Sequence, residues 1–196
     1  MPKVRMLRYV VVLSVLLVAG CAVSPATMQR MQEMNESYSI SPSFDLTQTW
    51  RIAVLPPTST VTTGAPATLY DHAGLSLMKV KNLSIVDRSQ VDRILDEQQF
   101  GTSGVVDPAT AARLGKLMGA QAVAVTNVTK LKHDDFFTDS PEQRDAQLYL
   151  KIISVETAEV LYYSLGQSSS FDGADEALAG AFEVAVNPLK RKAGAQ

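Results

Sequence analysis

The chain has 196 residues, 46% of them hydrophobic and 19% charged, with a formal net charge of −2. That length can bury the core of one ordinary domain. The mildly acidic balance argues against nucleic acid, because phosphate contacts need a clustered basic face, and the short run Lys190-Arg191-Lys192 near the chain end does not supply one.

The first residues read as a secretion signal. Lys3, Arg5 and Arg8 give a positive start, Val10 to Val18 is apolar apart from Ser14, and small residues Ala19 and Gly20 follow. The run falls short of the roughly 20 apolar residues of a spanning helix. Cys21, the single cysteine, stands directly after the small pair. Val18-Ala19-Gly20-Cys21 resembles the bacterial lipobox, whose cysteine thiol receives diacylglycerol before the signal is cut off. The resemblance implies a signal peptide over residues 1–20 and a mature chain that starts at an acylated Cys21. With that thiol consumed, the fold must hold without disulfides.

Residues 21–48 are expected to form the lipidated N-terminus and a flexible tether. They carry Pro25, Pro42 and many Ser, Thr, Gln and Asn, and nothing extends the helical spacing of Met28, Met31 and Met34. The folded part, residues 49–192, opens with Arg51 to Leu55, an apolar strand halted by Pro56-Pro57. Thr58 to Ala65 reads as loop. Pro66 to Val80 suits a helix with Leu69, Ala73, Leu77 and Val80 on one face, and Leu83 to Val86 is a second strand. Ser89 is a plausible N-cap with Asp92 three residues on, for a helix whose face is Val91, Ile94, Leu95 and Gln98 and which Gly101 ends. Asp107-Pro108 marks the next helix start and Gly119 its left-handed stop. Ala122 to Val128 is a strand, Lys132 to Arg144 a polar loop, and Ala146 to Val155 a long alternating strand. A tight turn at Thr157-Ala158 returns the chain as Val160 to Leu165. Asp175 to Leu189 closes the domain as a helix. The order β-α-β-α-α-β-β-β-α implies an α/β (α+β) domain, one mixed sheet with packed helices.

Ile85 to Gln98 resembles the strand, V-(D/E)-R and helix ending in L-x-E-Q of the CsgG-like lipoproteins, and Ala111 to Val123 resembles their A-x-x-L-G-x-x-x-G-A segment. Arg51 to Pro56 is similar to that family's first strand, and Ser154 to Leu161 to its T-G-E hairpin, with Ala158 where glycine is usual. The resemblance touches most of residues 51–165. It implies an envelope lipoprotein held at the outer membrane, the domain facing the periplasm, with no nucleic acid and no cofactor beyond the covalent lipid on Cys21. The curli secretion channel of that family makes its pore from two long hairpins, in the regions that correspond here to Val128–Leu148 and Leu165–Asp175. A spanning strand needs about 9–11 residues with lipid-facing apolar positions. The first interval is charged and carries Pro141, and the second is mostly serine, so the pore hairpins are expected to be missing. The implied function is a non-enzymatic adaptor or accessory factor that binds a periplasmic or outer-membrane protein. The alternative is a homo-oligomeric subunit of a curli-like secretion assembly.

No G-x-S-x-G nucleophile motif and no G-x-x-x-x-G-K-(S/T) phosphate loop is present, and Gly101-Thr-Ser-Gly104 lies between helices rather than after a strand. His133-Asp134-Asp135 is the one histidine–carboxylate cluster, too few ligands for most metal sites and better read as a solvated acidic loop. Asp87-Arg88 at a strand end reads as support for a helix N-terminus. His72 is expected on a helix surface or rim. Phe136-Phe137 lies in the polar loop, where neighbouring side chains diverge; either one of them fills the domain's own core or the pair anchors a partner.

Overall fold

The computed structural model describes residues 37–61, 67–98, 107–131 and 144–194. All belong to one compact unit that begins at Ser37. In chain order the elements are β1 (Tyr38–Ile40), β2 (Trp50–Val54), β3 (Thr58–Ser59), α1 (Ala67–Met78), β4 (Leu83–Ile85), α2 (Arg88–Glu97), α3 (Pro108–Leu117), β5 (Ala122–Leu131), β6 (Arg144–Ser154), β7 (Val160–Ser170) and α4 (Ala174–Gly194). One sheet takes the order β1-β7-β6-β5-β2-β4, with β3 paired to β5 off this path. Its β1-β7-β6-β5 half is antiparallel, while β5-β2-β4 is parallel. This is the single mixed sheet that the element order implies.

Alternation along the strands divides the core into two layers. Ile52, Val54, Ala124, Leu148, Leu150, Ile152 and Tyr162 face α1 and α4, packing on Leu69, Ala73 and Leu77 of α1 and on Leu178, Phe182, Val186 and Leu189 of α4. Ala53, Leu55, Val123, Val125 and Ile153 face the other way, against Val91 and Ile94 of α2 and Ala111 and Leu114 of α3. The parallel half is therefore clad on both faces, as parallel sheet requires. On the antiparallel half, α4 covers one face.

Local chemistry sets the helix ends. Asp107 caps α3 by accepting from the Thr110 N–H at 3.0 Å, with Pro108 in the first turn, and Gly119 closes the helix at φ 64°. In α2 the cap is Asp87, not Ser89: its carboxylate accepts from the Ser89 N–H at 2.9 Å, so the helix starts two residues earlier than the Ser89 cap would have it. Both capping carboxyls titrate below the usual aspartate range because neighbouring side chains and backbone N–H groups stabilise the charged form, Ser89 for Asp87 and Thr110 for Asp107.

Several boundaries differ from the sequence expectation. The fold does not wait for residue 49. β1 pairs with β7, Phe44 and Leu46 are buried, and the Trp50 ring meets Phe44 edge to face at 5.1 Å while its N–H donates to the Asp45 carbonyl. Two buried apolar residues in a polar stretch suffice to bring residues 37–48, expected as tether, into the domain. Thr58 and Ser59, expected as loop, form β3. β7 runs on past Leu165 to Ser170, paired with β6 as far as Arg144. Its serines suit the site because α4 lies close above. A Cβ added at Gly166 would stand 1.9 Å from the Ala181 carbonyl oxygen, and one at Gly180 would stand 2.4 Å from the Ser168 hydroxyl. Small residues on both partners permit this approach. The helix α4 also passes Pro188 and continues to Gly194, because Leu189 and Ala193 are buried and outweigh the backbone bond the proline lacks.

Candidate interaction surfaces

Three places on the domain bear on function. The first is the end of the β5–β6 pair. These strands stay paired to Leu131 and Ala146, across a bulge between Val128 and Lys130, so the connection shortens to residues 132–143. Lys130 and Asp145 form an ion pair at 3.2 Å at its base, and Ser169 donates to the same carboxylate at 2.8 Å. Phe136, Phe137 and His133-Asp134-Asp135 belong to that connection and lie outside the described residues, as do Val18, Ala19, Gly20 and Cys21. The second interval matched to a pore hairpin is settled: β7 occupies it to Ser170, and only residues 171–173 join β7 to α4.

The second place is the face of β6 and β7 opposite α4. Tyr149 and Tyr163 stack there at 5.5 Å with an interplanar angle of 10°, and the Lys151 ammonium sits 5.4 Å from the Tyr163 ring centroid. Burial, then the neighbouring Tyr149, raises the Tyr163 hydroxyl above its ordinary pKa, so it remains a neutral donor.

The third place is a cleft between α1, β4 and the start of α2, lined by Val54, Tyr70, Leu75, Met78, Ile85 and Arg88 among others. Tyr70 is buried and donates its hydroxyl to the Val54 carbonyl at 3.0 Å. Burial is also the main cause of its strongly raised pKa. The Arg88 guanidinium lies 4.4 Å from the Tyr70 ring centroid and pairs with Asp71 and, at 3.5 Å, with Asp92. Asp87-Arg88 thus does two structural jobs, a cap and a clasp between α1 and α2. His72 is exposed on α1. Leu75 and Met78 are 58% and 64% exposed. Sequence periodicity passed over them because it selects the buried stripe of α1 and has nothing to say about apolar residues off that stripe. Among the described residues, no group of three or more His, Cys, Asp or Glu side chains is placed to hold a metal ion. No helix among them is long and apolar enough to cross a membrane.

A mixed sheet with a helix pair on each face, a capped α2 behind the V-D-R turn and a strand–turn–strand at Thr157-Ala158 defines an α+β scaffold. The chain belongs to the CsgG family: the family model described as curli production assembly/transport component CsgG matches residues 27–135, more than half of the chain. The match begins within the expected tether and runs through β5, in keeping with a fold that starts ahead of residue 49. No curated protein matches the chain. Among solved structures it is similar to the PelC dodecamer from Paraburkholderia phytofirmans, at 12% identity and TM-score 0.52 over 80% of this chain and 96% of that one. A single-residue variant of the same dodecamer gives 13% identity and TM-score 0.54 over 79% and 98%. The LpoB C-terminal domain from Escherichia coli is 14% identical, with TM-score 0.48 over 73% and 96%. At these identities the likeness is one of fold.

Proposed function

We propose that this protein is a lipid-anchored accessory factor of the bacterial envelope, not an enzyme, and that it works by binding another envelope protein. Membership of the CsgG family is the observation that carries this reading. In it, Cys21 is acylated, the acyl chains hold the protein to the outer membrane, and the domain faces the periplasm. Two or more chains are enough for stable attachment. The Phe136-Phe137 pair, mounted at the β5–β6 end, is the partner anchor, since loops on a rigid scaffold are where binding residues concentrate. Changing Cys21 to serine tests the anchor: the precursor should stay unlipidated and uncut by the lipoprotein peptidase. A mature-sized protein still sedimenting with membranes would defeat it, and co-migration of the parent with inner-membrane markers would defeat the outer-membrane assignment.

The alternative is a homo-oligomeric subunit of a secretion assembly. It is supported by the fold likeness to a protein that crystallises as a dodecamer. The mass of the detergent-extracted protein separates the two: a ring of many copies favours assembly, a single copy the adaptor.

A further inference from the structure

On the antiparallel half of the sheet, the face opposite α4 changes character along the strands. Near the β5–β6 connection it is polar, with Asp145 beside Ser169 and Gln147 beside Gln167. An antiparallel sheet with one solvated face keeps such polar positions outward along its length. Here they stop halfway. The next rows set Tyr149 beside Leu165, Lys151 beside Tyr163, and Val160 beside Ile153, which packs on the α2–α3 layer. That layer stops short of Val160 and Tyr163, which stay 41% and 37% exposed, while Tyr149, Leu165 and Lys151 are half-buried. The patch has a cation at its centre. The Lys151 ammonium lies against the Tyr163 ring, and no carboxylate among the described residues pairs with it. A charge held partly out of water gains most from an opposite charge that arrives with apolar groups around it, because excluding the remaining water strengthens the attraction.

We infer that this patch docks an amphipathic helix of another envelope protein, one that brings an Asp or Glu side chain to the Lys151 ammonium. The helix lies beside α3 and extends over β6 and β7 the layer that α2 and α3 form on the same face. Its apolar stripe covers Val160, Tyr163 and Leu165. Buried aromatic anchors such as Tyr163 carry much of the affinity in contacts of this kind. The charge at the centre selects the partner: a helix with lysine in place of the carboxylate would meet like charge. The inference deepens the reading of this protein as a binding factor and rests on it. The patch is a separate place from Phe136-Phe137, so each can fail without the other.

The test places the photo-crosslinking residue p-benzoylphenylalanine at Val160, at Phe136 or at Met78 of the full-length protein in its own cells, and identifies the cross-linked peptides by mass spectrometry. The Val160 position should capture one envelope protein, through a helical segment that carries Asp or Glu, and the exposed Met78 position on α1 should not. Lys151→Gln should lower the capture at Val160 by about tenfold or more, Lys151→Arg should keep it, and both should melt within a few degrees of the parent. If Lys151→Gln is unstable, Tyr163→Ser decides in its place, with the same loss expected. Capture from Phe136 but not from Val160, a yield unchanged by these variants, or a captured segment without a carboxylate would overturn the inference and leave the proposed function standing. Capture of a second copy, or of another part of the same chain, at Val160 would overturn it as well. No capture from any of the positions would defeat both the inference and the reading it rests on.

Discussion

The close approach of α4 to β7 makes a prediction that can be worked from distances. Gly166→Ala places a methyl carbon 1.9 Å from the Ala181 carbonyl oxygen, 2.8 Å from its carbonyl carbon and 3.0 Å from the Ala185 Cβ. An ordinary carbon–oxygen contact is about 3.3–3.6 Å, so strand and helix must part by more than an ångström. Neither side can yield by rotating a side chain, because the two nearest obstacles are backbone and the third is an alanine Cβ. Overpacking costs about 1–3 kcal/mol in general, and this geometry belongs at the upper end. For a domain of this size, about 3 kcal/mol lowers Tm by roughly 6–12 °C. Displacing α4 would also break the bond from the Tyr162 hydroxyl to the Ala185 carbonyl, so near-ultraviolet circular dichroism should change along with the melt. Gly180→Ala is the control. Its methyl meets the Ser168 side chain, whose hydroxyl can turn away, and alanine gains about 1 kcal/mol of helix propensity. That variant should melt within a few degrees of the parent. A Gly166→Ala protein that melts within about 2 °C of the parent would refute the contact as described.

Ala158 sits at φ 58° in the β6–β7 turn, a left-handed conformation that costs an L-residue about 1–2 kcal/mol, so Ala158→Gly should stabilise the domain by about 0.5–1 kcal/mol in urea unfolding after the entropy of glycine is charged against it. Burial raises the Glu183 pKa, but hydrogen bonds from Lys190 and Ser76 and the charges of Lys190 and Lys79 more than reverse this and leave it below the ordinary value. A lowered folded-state pKa gives stability that is present above the unfolded value and is lost as pH falls through the folded one. Glu183→Gln should therefore melt below the parent at neutral pH and converge on it as the pH falls through the lowered folded-state pKa, and a gap that widened in acid would contradict the assignment. Phe136→Ser with Phe137→Ser should leave Tm within a few degrees and weaken capture of an envelope partner by about thirtyfold, the loss of about 2 kcal/mol; a large fall in Tm instead would place the phenylalanines in the core.

What was legible from sequence was local and redundant. Asp107, Pro108 and Gly119 each mark an end of α3, and together they place it correctly. The alternation of Leu148, Leu150 and Ile152 names the buried face of β6 without ambiguity. The misses are places where one partner's chemistry is explained by another far along the chain. Ser168 to Ser170 look like loop until their pairing with β6 is seen, and Ser168 is small where α4 passes close at Gly180. Tyr38 to Ile40 look like tether because three residues carry no period, and their strand identity comes from β7. The open edge of β4 is a property of strand order, which no window of sequence around Leu83 contains.

The parallel centre of the sheet has a consequence in time. Ile52 pairs with Ala122 across the whole of α1, β4, α2 and α3, while β6 and β7 are joined by the short turn at Thr157-Ala158 and pack directly on the α4 that follows. Contacts of long sequence separation form slowly because the intervening chain must first be closed into a loop. β2 leads the long central pairing, so its apolar residues Ile52, Ala53 and Val54 have no neighbour in β5 until β5 has itself been made. During that interval a strand bound for the middle of the sheet has only β4 to pair with and keeps one apolar edge open. Until then the stretch from Ile52 to Leu55 is where a chaperone has most to protect.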